Sequence, residues 1–110
     1  MSRPERERLL DILAACEAIT SYIDREASGD DMRFDAIRAR LIEIGEAAKD
    51  LSPALRASEP DVPWAEIAKM RDHLAHRYFD TAHAIVRATA RNDVPVLAEA
   101  VMRMLGKDDG

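Results

Sequence analysis

Residues 71–79 read RDHLAHRYF, so an arginine, a histidine and a tyrosine fall within eight positions of one another. Arg71 carries a charge it cannot lose, on a planar fork of donors that matches phosphate oxygens. His76 titrates near neutral pH and can take or give a proton. Tyr78 offers a phenolic hydroxyl. A fixed cation beside a proton-transferring imidazole suits chemistry at a phosphate ester. Each residue also has a plain structural reading: Arg71 as an ion-pair partner of Glu43 or Glu46, His76 as a partly exposed helical histidine, and Tyr78 as a core aromatic with its hydroxyl at the rim.

The segment belongs to a helix predicted over about residues 64–78. With Trp64 at 0° and about 100° per residue, Ile67 falls near 300°, Leu74 near 280°, Arg71 near 340° and Tyr78 near 320°. Arg71 and Tyr78 therefore share the stripe of the core residues. A guanidinium buried alone costs several kcal/mol, so Arg71 must meet a carboxylate, a phosphate-binding cleft or a subunit interface. His76 falls about 140° away from Arg71, with Asp72 one turn below it on the same face. One straight helix cannot aim Arg71 and His76 at one point. Either the helix distorts near His76, or two copies of the chain meet and share a cleft.

The elements that must position these residues read as helices throughout. Leu9, Ile12, Leu13, Cys16, Ile19 and Ile23 keep three-and-four spacing over about residues 5–27. SGDD at 28–31 interrupts the pattern, with Gly29 suited to a C-terminal cap and Asp30 or Asp31 to an N-cap. Phe34, Ile37, Leu41, Ile44, Ala48 and Leu51 give a second helix over about 32–51, in which Gly45, Ala47 and Ala48 allow another helix to approach. Ser52-Pro53 starts a short turn, and EPDVPW leads into the motif helix. A fourth helix is expected over about 82–91, ended by RND, and a fifth over about 94–106 with Pro95 in its first turn. The tail GKDDG, 106–110, is polar, and 107–110 is expected to fray. No alternating strand pattern appears. The expected fold is one all-α domain over 1–110, an antiparallel bundle of about five helices.

Composition narrows the setting. The 110 residues are 47% hydrophobic and 34% charged, which suits a globular chain and leaves no run long enough to span a membrane. Asp11 and Glu17 interrupt the first apolar stretch, which a signal peptide would not tolerate, so a cytoplasmic setting is expected. Cys16 has no partner for a disulfide and sits on the first apolar stripe as a small core residue. No Cys/His cluster has zinc spacing, and no cofactor is expected. Net charge is −5, but residues 64–91 hold five Lys/Arg against three Asp/Glu together with all three histidines. Any bound phosphate is expected there. His73 and His83 have no partner at telling spacing and read as surface residues.

The motif Arg71-x4-His76-x-Tyr78 resembles the R-x4-H-x-Y signature of HepT-type HEPN ribonuclease toxins. The likeness extends through LIEIGEAAKDLS, PDVPWAEIAKMRDHLAHRYFDTAHAIV and NDVPVL, over about residues 8–105. It implies a HEPN-like bundle that forms a homodimer through the motif helices. It implies a metal-independent ribonuclease acting on cellular RNA as the toxin of a toxin–antitoxin pair, with Arg71 and His76 catalytic. It also implies a minimal nucleotidyltransferase antitoxin that neutralises the toxin by transferring AMP to Tyr78. The position after the arginine is often asparagine in such proteins and is Asp72 here, a carboxylate able to pair with Arg71 or to orient His76. Two non-enzymatic readings stand beside this one: a nucleotide- or protein-binding module in which the motif only builds the dimer interface, and a purely structural bundle.

Overall fold

The computed structural model describes residues 1–24, 30–75 and 88–109. Among the described residues are five α-helices: α1 (Arg3–Asp24), α2 (Asp30–Lys49), α3 (Pro53–Ala57), α4 (Trp64–Ala75) and α5 (Val94–Asp109), the last preceded by a π-helical turn, Thr89–Asp93. No strand occurs among the described residues, and the all-α expectation holds. None of these helices is long and apolar enough to cross a membrane.

The expected stripes form the core. Leu9, Ile12, Cys16 and Ile19 of α1 are buried against Phe34, Ile37, Leu41, Ile44 and Ala48 of α2. Burial pushes the Cys16 thiol up to about 12, as befits a packed apolar residue. Arg8, near the start of α1, donates to Asp50, just past the end of α2, at 3.1 Å, so the two long helices run antiparallel. α2 packs on α1 along one side and on α4 along another, and α5 packs on α1. Val94, Leu97, Val101 and Met104 bring α5 into the same core.

Two local devices fix α4. Ser52 Oγ accepts the Leu55 amide at 3.1 Å and caps α3, with Pro53 in the first turn where its missing N–H costs nothing. The Trp64 indole then donates to the carbonyls of Arg56 at 2.9 Å and Glu59 at 3.1 Å, tying the 58–63 loop over the first turn of α4. Trp64, Ile67 and Leu74 face inward, as the wheel requires.

One expectation is corrected. RND at 91–93 does not end a helix. It lies within the π-helical turn, which passes directly into α5, with the Val94 amide bonded to the Thr89 carbonyl. Pro95 explains the wider turn: it has no N–H to give Arg91, and its ring would strike that carbonyl in a regular helix. α5 continues through Asp109, with Met104 and Leu105 buried in its last turns. Gly29 and most of the expected fourth helix, 82–87, lie outside the described residues.

Candidate functional site

The site begins where α4 crosses α2. A Cβ placed on Gly45 would collide with the Arg71 Cβ and would lie 3.2 Å from both the Arg71 Cγ and the Ile67 carbonyl oxygen. Only a residue without a side chain allows this approach. The stem of Arg71 therefore does sit on the inter-helix stripe, as the spacing requires, while its charged end runs outward to the rim. The side chain is one-third exposed.

At the rim Arg71 meets carboxylates from both helices. Nη1 donates to Asp72 Oδ1 at 3.0 Å and Nη2 to Glu46 Oε1 at 3.4 Å. Nε is buried and makes no hydrogen bond. Lys49, one turn beyond Gly45 on α2, donates to the same Asp72 Oδ1 at 3.2 Å. The bonds to Asp72 and then Glu46 hold the Arg71 pKa above its ordinary value. The bonds from Arg71 and then Lys49 hold Asp72 below the usual carboxylate range. At neutral pH these four side chains carry two positive and two negative charges. One further contact ties the helices together: Arg38 of α2 donates to the Leu74 carbonyl of α4.

Of the candidate residues, Arg71 and Asp72 are thus brought together. Asp72 accepts from both Arg71 and Lys49. His76, Tyr78 and His83 lie outside the described residues. Among the described residues no group of His, Cys, Asp and Glu could hold a metal ion.

The chain matches the family described as ribonuclease HepT-like over residues 10–104. It belongs to that family. A protein of Thermococcus cleftensis named probable ribonuclease HepT is 36% identical over 103 residues, covering 88% of this chain and 92% of its own. A protein of Caldanaerobacter subterraneus subsp. tengcongensis, named as a candidate RNase, is 35% identical over 108 residues, covering 94% and 96%. No solved structure matches the chain.

In this HepT-like chain the arrangement can present a fixed cation to an anionic ligand at the edge of the α2–α4 crossing. To bind phosphate with its η nitrogens, Arg71 must release a carboxylate. Exposed pairs of this kind are weak and readily exchanged. Glu46 was one of two partners the sequence offered for Arg71. Lys49 was not singled out, although it follows Glu46 by three residues on one helix face. Glu59 also escaped notice: nothing in EPDVPW marks it as the buried acid that meets Arg103 at 2.8 Å.

Proposed function

We propose that this HepT-like protein is a metal-independent endoribonuclease, the toxin of a toxin–antitoxin pair, acting on cellular RNA as a homodimer. The observation that carries the reading is the Arg71 guanidinium, held at the α2–α4 rim on the helix whose sequence continues into His76 and Tyr78, in a chain of the HepT-like ribonuclease family. RNA supplies its own nucleophile, the 2′-hydroxyl. Cleavage then needs a base for that proton, an acid for the leaving 5′-oxygen and positive charge for the crowded phosphorus. Two His76 side chains, one from each protomer, divide the proton roles, and Arg71 stabilises the developing charge. DNA lacks the 2′-hydroxyl and is not cut by this route.

Control follows from Tyr78, which shares the Arg71 stripe of the helical wheel. A cognate nucleotidyltransferase antitoxin transfers AMP from ATP to its hydroxyl, breaking the α–β phosphoanhydride and releasing pyrophosphate and the phenolic proton, and the added phosphate competes with RNA for Arg71. The test is incubation of the pure protein with total RNA in EDTA. The wild type cleaves, and Arg71→Ala and His76→Ala do not. Cleavage that survives in both folded variants overturns the assignment. After co-expression with the nucleotidyltransferase, intact-mass spectrometry should show one added AMP, lost in Tyr78→Phe.

One observation favours a second reading. Arg71 is already matched by two carboxylates, as an interface-building arginine would be. A non-catalytic nucleotide- or protein-binding module paired with the nucleotidyltransferase would dimerise and leave RNA intact in the same assay.

A further inference from the structure

We propose that Lys49 is a second phosphate-binding residue beside Arg71, and that the Asp72 carboxylate is the resident anion of a two-cation site that an RNA phosphate takes over. The proposal rests on the RNA-cleaving reading and adds a residue and a mechanism of entry to it. Lys49 Nζ and Arg71 Nη1 come from different helices and converge on one oxygen, Asp72 Oδ1, at 3.2 and 3.0 Å. An oxygen held between an ammonium and a guanidinium is the geometry in which a non-bridging phosphate oxygen is bound. A phosphodiester and an aspartate each carry one negative charge, so the exchange leaves the charge of the site unchanged.

The surroundings favour exchange of Asp72 rather than of the cations. Gly45 and the buried Nε fix the Arg71 stem against α2, and Glu46 holds its other η nitrogen. Asp72 is half-exposed on a short side chain and can swing into water. While it stays, it screens both cations from anions of the wrong shape.

The experiment uses the full chain and a fluorescein-labelled single-stranded oligonucleotide of mixed sequence with 2′-deoxyribose throughout, which the proposed chemistry cannot cut. Binding is followed by anisotropy across a salt series. Lys49→Ala should weaken binding about fivefold and lower the slope of log affinity against log salt by about 0.7, the loss of one phosphate contact. Lys49→Arg should restore both. Asp72→Asn should tighten binding by a similar factor. Asp50→Asn makes the same change in net charge beside Arg8, on the α1 side of α2, and should leave binding unchanged. An unchanged slope in Lys49→Ala, or equal tightening by Asp72→Asn and Asp50→Asn, overturns the proposal while Arg71→Ala still abolishes RNA cleavage. A wild type that neither binds the oligonucleotide nor cleaves RNA overturns the ribonuclease reading as well.

Discussion

Arg103 and Arg71 each meet a glutamate, but in different company. Arg103 sends Nε and Nη2 to one oxygen of Glu59, at 3.3 and 2.8 Å, and that side chain is only 10% exposed. The Glu59 carbonyl meanwhile receives the Trp64 indole, so this acid belongs to the clasp that starts α4. Arg71 divides its donors between two carboxylates, each about half exposed, and one of these is shared with Lys49. The first arrangement is short and enclosed. The second is open and redundant, and any member can leave without stranding a buried charge. Burial makes an ion pair hard to break, whereas exposure makes it exchangeable. A structural pair suits the first description and a ligand site the second.

The sharpest break of that comparison is to remove each arginine's function in turn. Arg71→Ala should lower RNA cleavage by about a hundredfold or more, the usual cost of one charge-stabilising donor. It should change stability by no more than about 1 kcal/mol, since its pairs are exposed. Glu59→Ala should do the reverse, leaving cleavage intact. Thermal melting and an RNA cleavage assay on the same preparations read both. If Arg71→Ala melts as far below wild type as Glu59→Ala does, the rim is structural and the contrast fails.

Gly45 sharpens the rim side of the contrast. Alanine at 45 gains about 1 kcal/mol of helix propensity. It also drives a Cβ into the Arg71 Cβ, and over-packing of that kind costs about 1–3 kcal/mol. The clash wins, α4 is pushed off α2, and Arg71 moves; cleavage should fall at least about tenfold, because sub-ångström placement governs such chemistry. Gly106 on α5 is the control, since a Cβ there meets nothing within 4 Å. Gly106→Ala should raise stability by about 0.5–1 kcal/mol and leave cleavage unchanged. The same substitution thus changes sign between the two helices.

The enclosed pair predicts a smaller effect, read in stability alone. Glu59→Ala removes a nearly buried carboxylate but leaves Arg103 half exposed, able to regain water. The cost is therefore below that of a fully buried pair, about 1–2 kcal/mol, or roughly 5–10 °C in Tm for a chain of this size. Arg103→Gln should cost nearly as much, because it takes the cation from the less exposed partner. If neither variant melts below wild type, the Glu59 pair is as exchangeable as the rim.

Periodicity carried most of the fold. Leu9 to Ile19 and Phe34 to Leu51 are read correctly because a 3.6-residue stripe survives burial unchanged. The breaks were harder. Pro95 looked like a helix start, since a proline is tolerated there; the π-helical turn satisfies the same proline inside a continuous helix, and local spacing does not separate the two. At the site, the position of Arg71 on the core stripe was legible, and so was Glu46 as a partner. The pairing of Asp72 with Lys49 was not, because it depends on where Lys49 sits after α2 and α4 have crossed. Side chains within one helix can be placed by counting; the meeting of two helices at Gly45 is a tertiary fact.

A third carboxylate tests the comparison through pH. Glu5 closes a capping box at the start of α1: Ser2 Oγ accepts the Glu5 amide at 3.2 Å, and Glu5 Oε1 accepts from the Ser2 hydroxyl at 3.1 Å. Its other oxygen accepts the Ser52 amide at 3.0 Å, joining the start of α1 to the cap of α3. These bonds, the Ser52 amide foremost, lower its pKa from 4.5 to about 2. A lowered folded-state value means that the charged form stabilises the fold above the unfolded value and that this contribution fades as pH falls through the folded one. The difference in Tm between wild type and Glu5→Gln should therefore be constant near neutral pH, shrink below about 4.5 and vanish near 2. Glutamine cannot titrate, so it isolates the charge. Because the carboxylate is open to water, the effect should be the smallest of the series, and about 0.5 M salt should weaken it further. A difference that persists unchanged at low pH would mean that Glu5 acts by shape alone, and that an exposed acid can be as fixed in place as the enclosed Glu59.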